Sequence, residues 1–142
     1  MSPTAALAIV AALLLATIAV GVVWRLRDGR LRAGDGSRVD PADIPLSGSR
    51  ATLVQFSTEI CARCPHVRRM LSHLASALDG VEHIEVDLTH RPDLASRYHV
   101  LQTPTTFVLD RDGRVRSRFN GVPRRHDLVT ALATIPATEE RR

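Results

Sequence analysis

The sequence predicts an α/β domain, a small mixed central sheet with flanking helices, preceded by one N-terminal transmembrane helix. Three observations lead there. Residues 4–23 contain no charge. From Ala51 onward the apolar spacing switches between strand and helix periods in the order β, α, β, α, β, β, α. The last two strands flank Asp110-Arg111-Asp112-Gly113-Arg114, a hairpin signal whose glycine supplies the positive φ of the turn. Right-handed β-α-β crossovers put helices on both faces of such a sheet. Roughly 85 residues suffice for the core, without much surplus stability.

Taken in order, the run Thr4–Val23 comes first. At ~1.5 Å per residue, roughly 20 such residues span a hydrocarbon core of ~30 Å. A helix apolar all round for that length is rarely the core helix of a soluble protein. The run exceeds a usual signal-peptide core, no basic residue precedes it, and no small-x-small site lies before Trp24. Residues 4–24 are therefore expected as an anchor in the cell membrane, with Trp24 at the interface. Arg25, Arg27, Arg30, Arg32 and Arg38 follow closely, whereas only the α-amino group lies ahead. Arginine-rich flanks stay in the cytoplasm, so a single-pass chain with a cytoplasmic C-terminal domain is expected, the extracytoplasmic orientation being the alternative.

Residues 25–50 hold Gly29, Gly34, Gly36, Gly48, Pro41 and Pro45 without a sustained apolar period, and read as a tether. Its arginines suit anionic lipid head groups, at about 1 kcal/mol each near the surface. The domain is expected over 51–136. Thr52–Phe56 is a buried strand, and the next segment, Cys61 to Leu78, places Cys64, Val67, Met70, Leu71, Leu74, Ala75 and Leu78 on one helical face before the stop at Gly80, with Cys61 preceding the helix proper. Pro65 fits only in its first turn. Val81–Leu88 alternates as a strand, and Pro92 opens a short helix through Leu94, Ala95 and Tyr98. Thr105–Leu109 and Val115–Phe119 form the hairpin, and a last helix from near Pro123 buries Leu128, Val129, Leu132 and Ile135. Residues 137–142 are expected as a flexible tail.

The net charge of +4 arises from 19 arginines with no lysine. They are dispersed, without a reader motif or an aromatic stacking surface, so no nucleic-acid partner is expected.

Both cysteines fall in Ile60-Cys61-Ala62-Arg63-Cys64-Pro65. Such a pair closes a reversible disulfide, supplies half of a tetrahedral metal site, or is inert and buried. A metal needs two more ligands, and His66, His73, His83, His90, His99 and His126 form no pair of zinc-finger spacing. Redox chemistry is favoured, and neither metal nor cofactor is expected. At a helix N-terminus the unpaired N–H groups and the dipole stabilise a thiolate over a thiol. Cys61 would be the exposed nucleophile and Cys64, one turn on, the resolving thiol. Arg63 either adds a positive charge that makes the pair more oxidising or is a solvated arginine without redox effect.

With this pair, Asp87, Pro92, Leu94, Ala95, Tyr98, Val100, Thr103-Pro104-Thr105 and Gly121 stand in the order and spacing of a known pattern. Over residues 51–135 the chain resembles the thioredoxin family. The resemblance implies a thioredoxin-like fold, a cis Thr103–Pro104 bond facing the cysteines, and pairing of the Thr103 backbone with an extended substrate segment. It also implies a disulfide-containing protein substrate and an upstream dithiol electron donor such as a thioredoxin reductase. Several residues depart from the family's usual Trp-Cys-Gly-Pro-Cys site: Ile60 replaces the tryptophan, and Ala62-Arg63 replace Gly-Pro. Gln55 occupies the place of a buried aspartate, and His83 that of the lysine that often accompanies it. Gln55 cannot take the proton of Cys64; His83 would serve as base if it approaches the cysteines, and is otherwise an ordinary sheet residue. Glu59 is a second base candidate, on an exposed loop. The first strand and helix of full-length members lack a counterpart unless the tether supplies part of them. A membrane-tethered, specialised thiol-disulfide oxidoreductase is the expectation, and a non-enzymatic binding module with structural cysteines is the alternative.

Overall fold

The computed structural model describes residues 2–48 and 50–137, so residues 138–142 of the expected tail lie outside the described residues. Helix α1, Pro3–Arg27, is capped by Ser2, whose side chain accepts from the Ala5 N–H at 3.3 Å, and none of its residues is buried. It is long and apolar enough to cross a membrane.

The remaining chain forms a five-stranded mixed sheet. Strand β1 is Leu31–Ala33, β2 is Ala51–Ser57, β3 is Val81–Asp87, β4 is Thr105–Asp110 and β5 is Val115–Asn120. Their spatial order is β1-β5-β4-β2-β3, with β2 and β3 parallel and every other pair antiparallel. All seven residues of β2 are buried, the polar Thr52, Gln55 and Ser57 among them, as suits a strand covered on both faces. Side chains of β2 alternate between two layers. Leu53 meets Val67, Leu71 and Leu74 of α2 (Cys64–Ala77) together with Leu128, Ala131 and Leu132 of α4 (Arg125–Ala133). Val54 and Phe56 face the other way, toward Leu94 of α3 (Pro92–Arg97), Tyr98 and Phe107. Phe56 and Phe107 pack edge to face at 4.9 Å and 70°. The expected helix on each face of a mixed sheet is therefore present.

The turn between β4 and β5 closes as expected: Gly113, at φ +77°, donates its N–H to the Asp110 carbonyl at 2.9 Å. Arg50 Nη2 donates to the carbonyls of Leu132 at 3.0 Å and Ile135 at 3.2 Å, tying the end of α4 to the start of β2.

Two expectations differ from the structure. Within the stretch read as a tether, β1 pairs with β5, and Val39 and Ile44 are fully buried against Phe56 and Phe107. Asp43 accepts from Arg97 Nη1 at 2.7 and 2.8 Å and from the Tyr98 hydroxyl at 2.6 Å. That hydroxyl in turn accepts from the Asp40 N–H at 3.1 Å. Isolated apolar residues leave no periodic signal when distant elements supply their partners. Val129, expected in the core, is 43% exposed. Leu128 and Leu132 lie one turn apart on the inward stripe, and Val129 is rotated about 100° from it.

Candidate functional site

The polypeptide leaves β2 at Ser57, loops through Ile60 and Cys61, and enters α2 at Cys64. Pro65 is within the first turn, where a missing N–H breaks no helical bond. Cys61 and Cys64 are joined by a disulfide, with 2.09 Å between sulfurs and 5.4 Å between Cα atoms. Cys64 is 2% exposed and packs inward with Val67, whereas Cys61 is partly open to solvent. One sulfur is thus accessible and the other shielded at a helix N-terminus.

Beneath the pair lies Gln55, fully buried on β2. Its Nε2 donates to the Cys64 carbonyl at 3.0 Å. A carbonyl only accepts, so the amide orientation is fixed and Gln55 Oε1 faces His83 Nε2 at 3.2 Å. The neutral imidazole consequently carries its proton on Nε2, while Nδ1 accepts from the Ser72 hydroxyl at 2.9 Å. Both ring nitrogens are occupied, and the Gln55 amide stands between His83 and Cys64. Burial pushes the His83 pKa below its ordinary value; the nearby Glu85 carboxylate opposes this and Arg68 adds to it. Burial raises the Glu85 carboxyl, but bonds from Arg68 and Ser57 outweigh that and hold it below its ordinary range.

The second half of the site comes from the loop before β4. Thr103–Pro104 is a cis peptide bond. Thr103 Oγ1 lies 3.3 Å from Thr58 Oγ1, three residues before Cys61, and the Pro104 carbonyl accepts from the Gly121 N–H at 2.7 Å. Side chains some forty positions apart in sequence are thereby brought together at one end of the central strands β2 and β4. Ile60 and Leu101, on the two loops, are each 94% exposed.

One site residue gave no signal in the sequence. Asp28, just past α1, accepts from Arg63 Nη1 at 2.9 Å through Oδ2 and from Gln102 Nε2 at 3.2 Å through Oδ1. A carboxylate therefore faces the guanidinium of Arg63, the residue that precedes Cys64 in sequence. Gly121 makes room for it: at φ +89°, a Cβ there would be 2.0 Å from Asp28 Oδ1. No local pattern announces an ion pair spanning 35 positions.

Glu59 is exposed on the cysteine loop, as expected, 3.7 Å from His90 Nε2. Glu59, Asp87 and His90 bring ligand atoms within 4.8 Å of one another, and are the residues nearest to a metal-binding set among those described. Asp87 already accepts from the Thr89 N–H at 2.8 Å and lies 3.0 Å from His90 Nδ1.

The thioredoxin family model matches residues 44–134. Thioredoxin Y2 of Arabidopsis thaliana chloroplasts is 28% identical over 91 residues, which cover 63% of this chain and 54% of that protein. Thioredoxin Y1 from the same source is 25% identical, over 63% of this chain and 52% of its own length. The chain thus spans about half the length of these relatives. Among solved structures, a variant thioredoxin from Halobacterium salinarum superposes with a TM-score of 0.56 at 19% identity, over 63% of this chain and 78% of its own. Fasciola hepatica thioredoxin gives 0.54 at 24% identity, over 62% and 83%. Both likenesses are of fold. The family match runs from the buried Ile44 through α4 and takes in the cysteine pair and the cis-proline loop, and on it this chain belongs to the thioredoxin family.

Proposed function

We propose that this chain is a membrane-tethered thiol-disulfide oxidoreductase that reduces or exchanges protein disulfides. The observation that carries the reading is the pairing of a partly open Cys61 with a shielded Cys64 at the first turn of α2. In the dithiol form, the Cys61 thiolate is stabilised by the N–H groups of α2 and attacks one sulfur of a substrate disulfide. A mixed disulfide forms, and the first substrate sulfur leaves as a thiolate that takes up a proton. Cys64 then loses its proton and attacks the Cys61 sulfur, expelling the second substrate thiolate and closing the Cys61–Cys64 disulfide. Two electrons have passed to the substrate, and an upstream dithiol donor such as a thioredoxin reductase returns the pair to its reduced form.

The backbone at Thr103, beside the cis bond, offers an extended substrate segment a hydrogen-bonding edge. Gln55 carries no titratable group, so the Cys64 proton leaves without a buried carboxylate. His83 acts on that step only through the Gln55 amide, as a positioning residue. Helix α1 is the bilayer anchor, and the arginines after it keep the domain cytoplasmic.

Trapping tests the reading. Cys64→Ser in the full-length chain leaves the mixed disulfide unresolved, so substrate proteins should remain linked to Cys61 and be released by dithiothreitol. Cys61→Ser should trap nothing at that position. Failure of Cys64→Ser to capture any partner would overturn the exchange reaction and favour a binding module with structural cysteines.

A further inference from the structure

We infer that the end of the membrane helix is part of the active site, seating the cysteine pair at the bilayer surface, where its substrate is a disulfide in a juxtamembrane segment of another membrane protein. This rests on the oxidoreductase reading and names its substrate class. Three sets of bonds hold the helix end to the site. The Asp28 N–H donates to the Trp24 carbonyl at 3.0 Å, so the last turn of α1 is closed up to Asp28. The Gly29 N–H donates to the Asn120 carbonyl at 2.6 Å, and β1 continues on the edge of β5 with Leu31 opposite Phe119. The Asp28 carboxylate, finally, grips both halves of the cleft, Arg63 from the cysteine loop and Gln102 from the cis-proline loop. No free linker separates helix from site.

Height above the membrane follows. The uncharged run ends at Val23, and Asp28 lies about one helical turn, ~6 Å, beyond Trp24. The headgroup layer on each side of the hydrocarbon is roughly 5–8 Å deep. Arg63, in contact with Asp28, and its neighbours Cys61 and Cys64 thus sit at or just above that layer. The exposed apolar side chains agree with this placement. Ile60, beside Cys61, and Leu101, beside Gln102, project from the two loops that meet at the site. In water their exposure is a liability; at an interface, or against the apolar flank of a membrane segment, they are covered. A segment leaving the bilayer alongside α1 reaches Cys61 directly, whereas a disulfide deep within a large soluble domain must bring that domain through the headgroups.

Two measurements test this on the full-length chain in phosphatidylcholine vesicles. A fluorophore on Cys61 of Cys64→Ser should be quenched strongly by headgroup-nitroxide lipid. The quenching should vanish when a Gly/Ser stretch of about 12 residues, with an r.m.s. reach of ~19 Å, is inserted between Arg27 and Asp28. Equal quenching in the two chains, or none in either, overturns the placement. For substrate class, one disulfide loop is carried on a transmembrane peptide either directly at the bilayer or on a long flexible spacer. The native chain should reduce the direct form about tenfold faster, since both are membrane-bound and differ only in effective concentration at the site. Equal rates, or a faster spacer form, overturn the substrate class. Reduction of neither peptide, nor of insulin, overturns the oxidoreductase reading itself, and quenching still decides the placement.

Discussion

Arg63 carries one meaning from its place between two cysteines and another from its partner. A lone guanidinium would favour the Cys61 thiolate, but the Asp28 carboxylate at 2.9 Å counters its charge. Asp28→Asn should therefore speed alkylation of Cys61 in the reduced protein at neutral pH and make the pair more oxidising. Arg63→Ala should do the reverse, and the double variant, which lacks both charges, should lie between the two single variants. Both groups are partly solvated, at 59% and 30% exposure, and such pairs are worth about 0.2–1 kcal/mol, so the rate change should be within about fivefold. Identical alkylation rates in all four proteins would show that solvent screens the charges. His83 gives a second expectation. Its folded-state pKa is depressed by burial, so below the ordinary value near 6.5 the unfolded chain takes up a proton that the folded one resists. The stabilising contribution is complete above that value and is lost as pH falls through the folded pKa. Urea midpoints should thus drop between pH 7 and 5, and His83→Gln should flatten the drop; Glu85, also depressed, acts in a lower window. At this scale Cys61, Cys64, Thr103 and Pro104 were legible because short motifs hold them. Asp28 was not, because its partners Arg63 and Gln102 lie far along the chain.

Elements were legible in proportion to their local periodicity. The strand at Ala51–Ser57, the helix at Cys64–Ala77 and the hairpin around Gly113 all carry a repeat or a turn signal within a few residues. β1 has three residues, and Val39 and Ile44 are single apolar positions among glycines, prolines and charges, so their structure is imposed by β5, Tyr98 and Phe107. The distinction can be weighed. Ile44→Ala should cost about 2–5 kcal/mol by chemical denaturation, as for a core residue, whereas Ala42→Ser on the exposed stretch should stay within about 0.5 kcal/mol. Equal midpoints for the two would return residues 39–46 to the status of a tether. Gly121 links this scale to the site. Gly121→Ala places a methyl where Asp28 sits and strains a left-handed backbone, at about 1–2 kcal/mol, so it should lower the melting temperature and raise Cys61 reactivity as Asp28→Asn does.

For the whole molecule, the order of helices and strands was enough to place the domain among small α/β folds, and the uncharged run was enough to set a bilayer-length helix before it. What the order of elements could not convey is how closely the two are joined, since the bonds from Asp28 and Gly29 link residues remote in sequence. That coupling makes sidedness a chemical question. Thiols facing the cytoplasm are kept reduced, so the domain would act there as a reductant; on the opposite side it would meet a different electron partner. Arg25, Arg27 and Arg30 immediately follow the apolar run and favour retention in the cytoplasm. Cys64→Ser makes the test simple, because Cys61 is then the one thiol in a chain with 2 cysteines. After dithiothreitol has released trapped partners and been washed out, a membrane-impermeant maleimide should leave Cys61 unmodified in intact cells and label it once the membrane is permeabilised. Ready labelling of intact cells would reverse the orientation and, with it, the source of electrons, while leaving the exchange at Cys61 and the surface position of the site untouched.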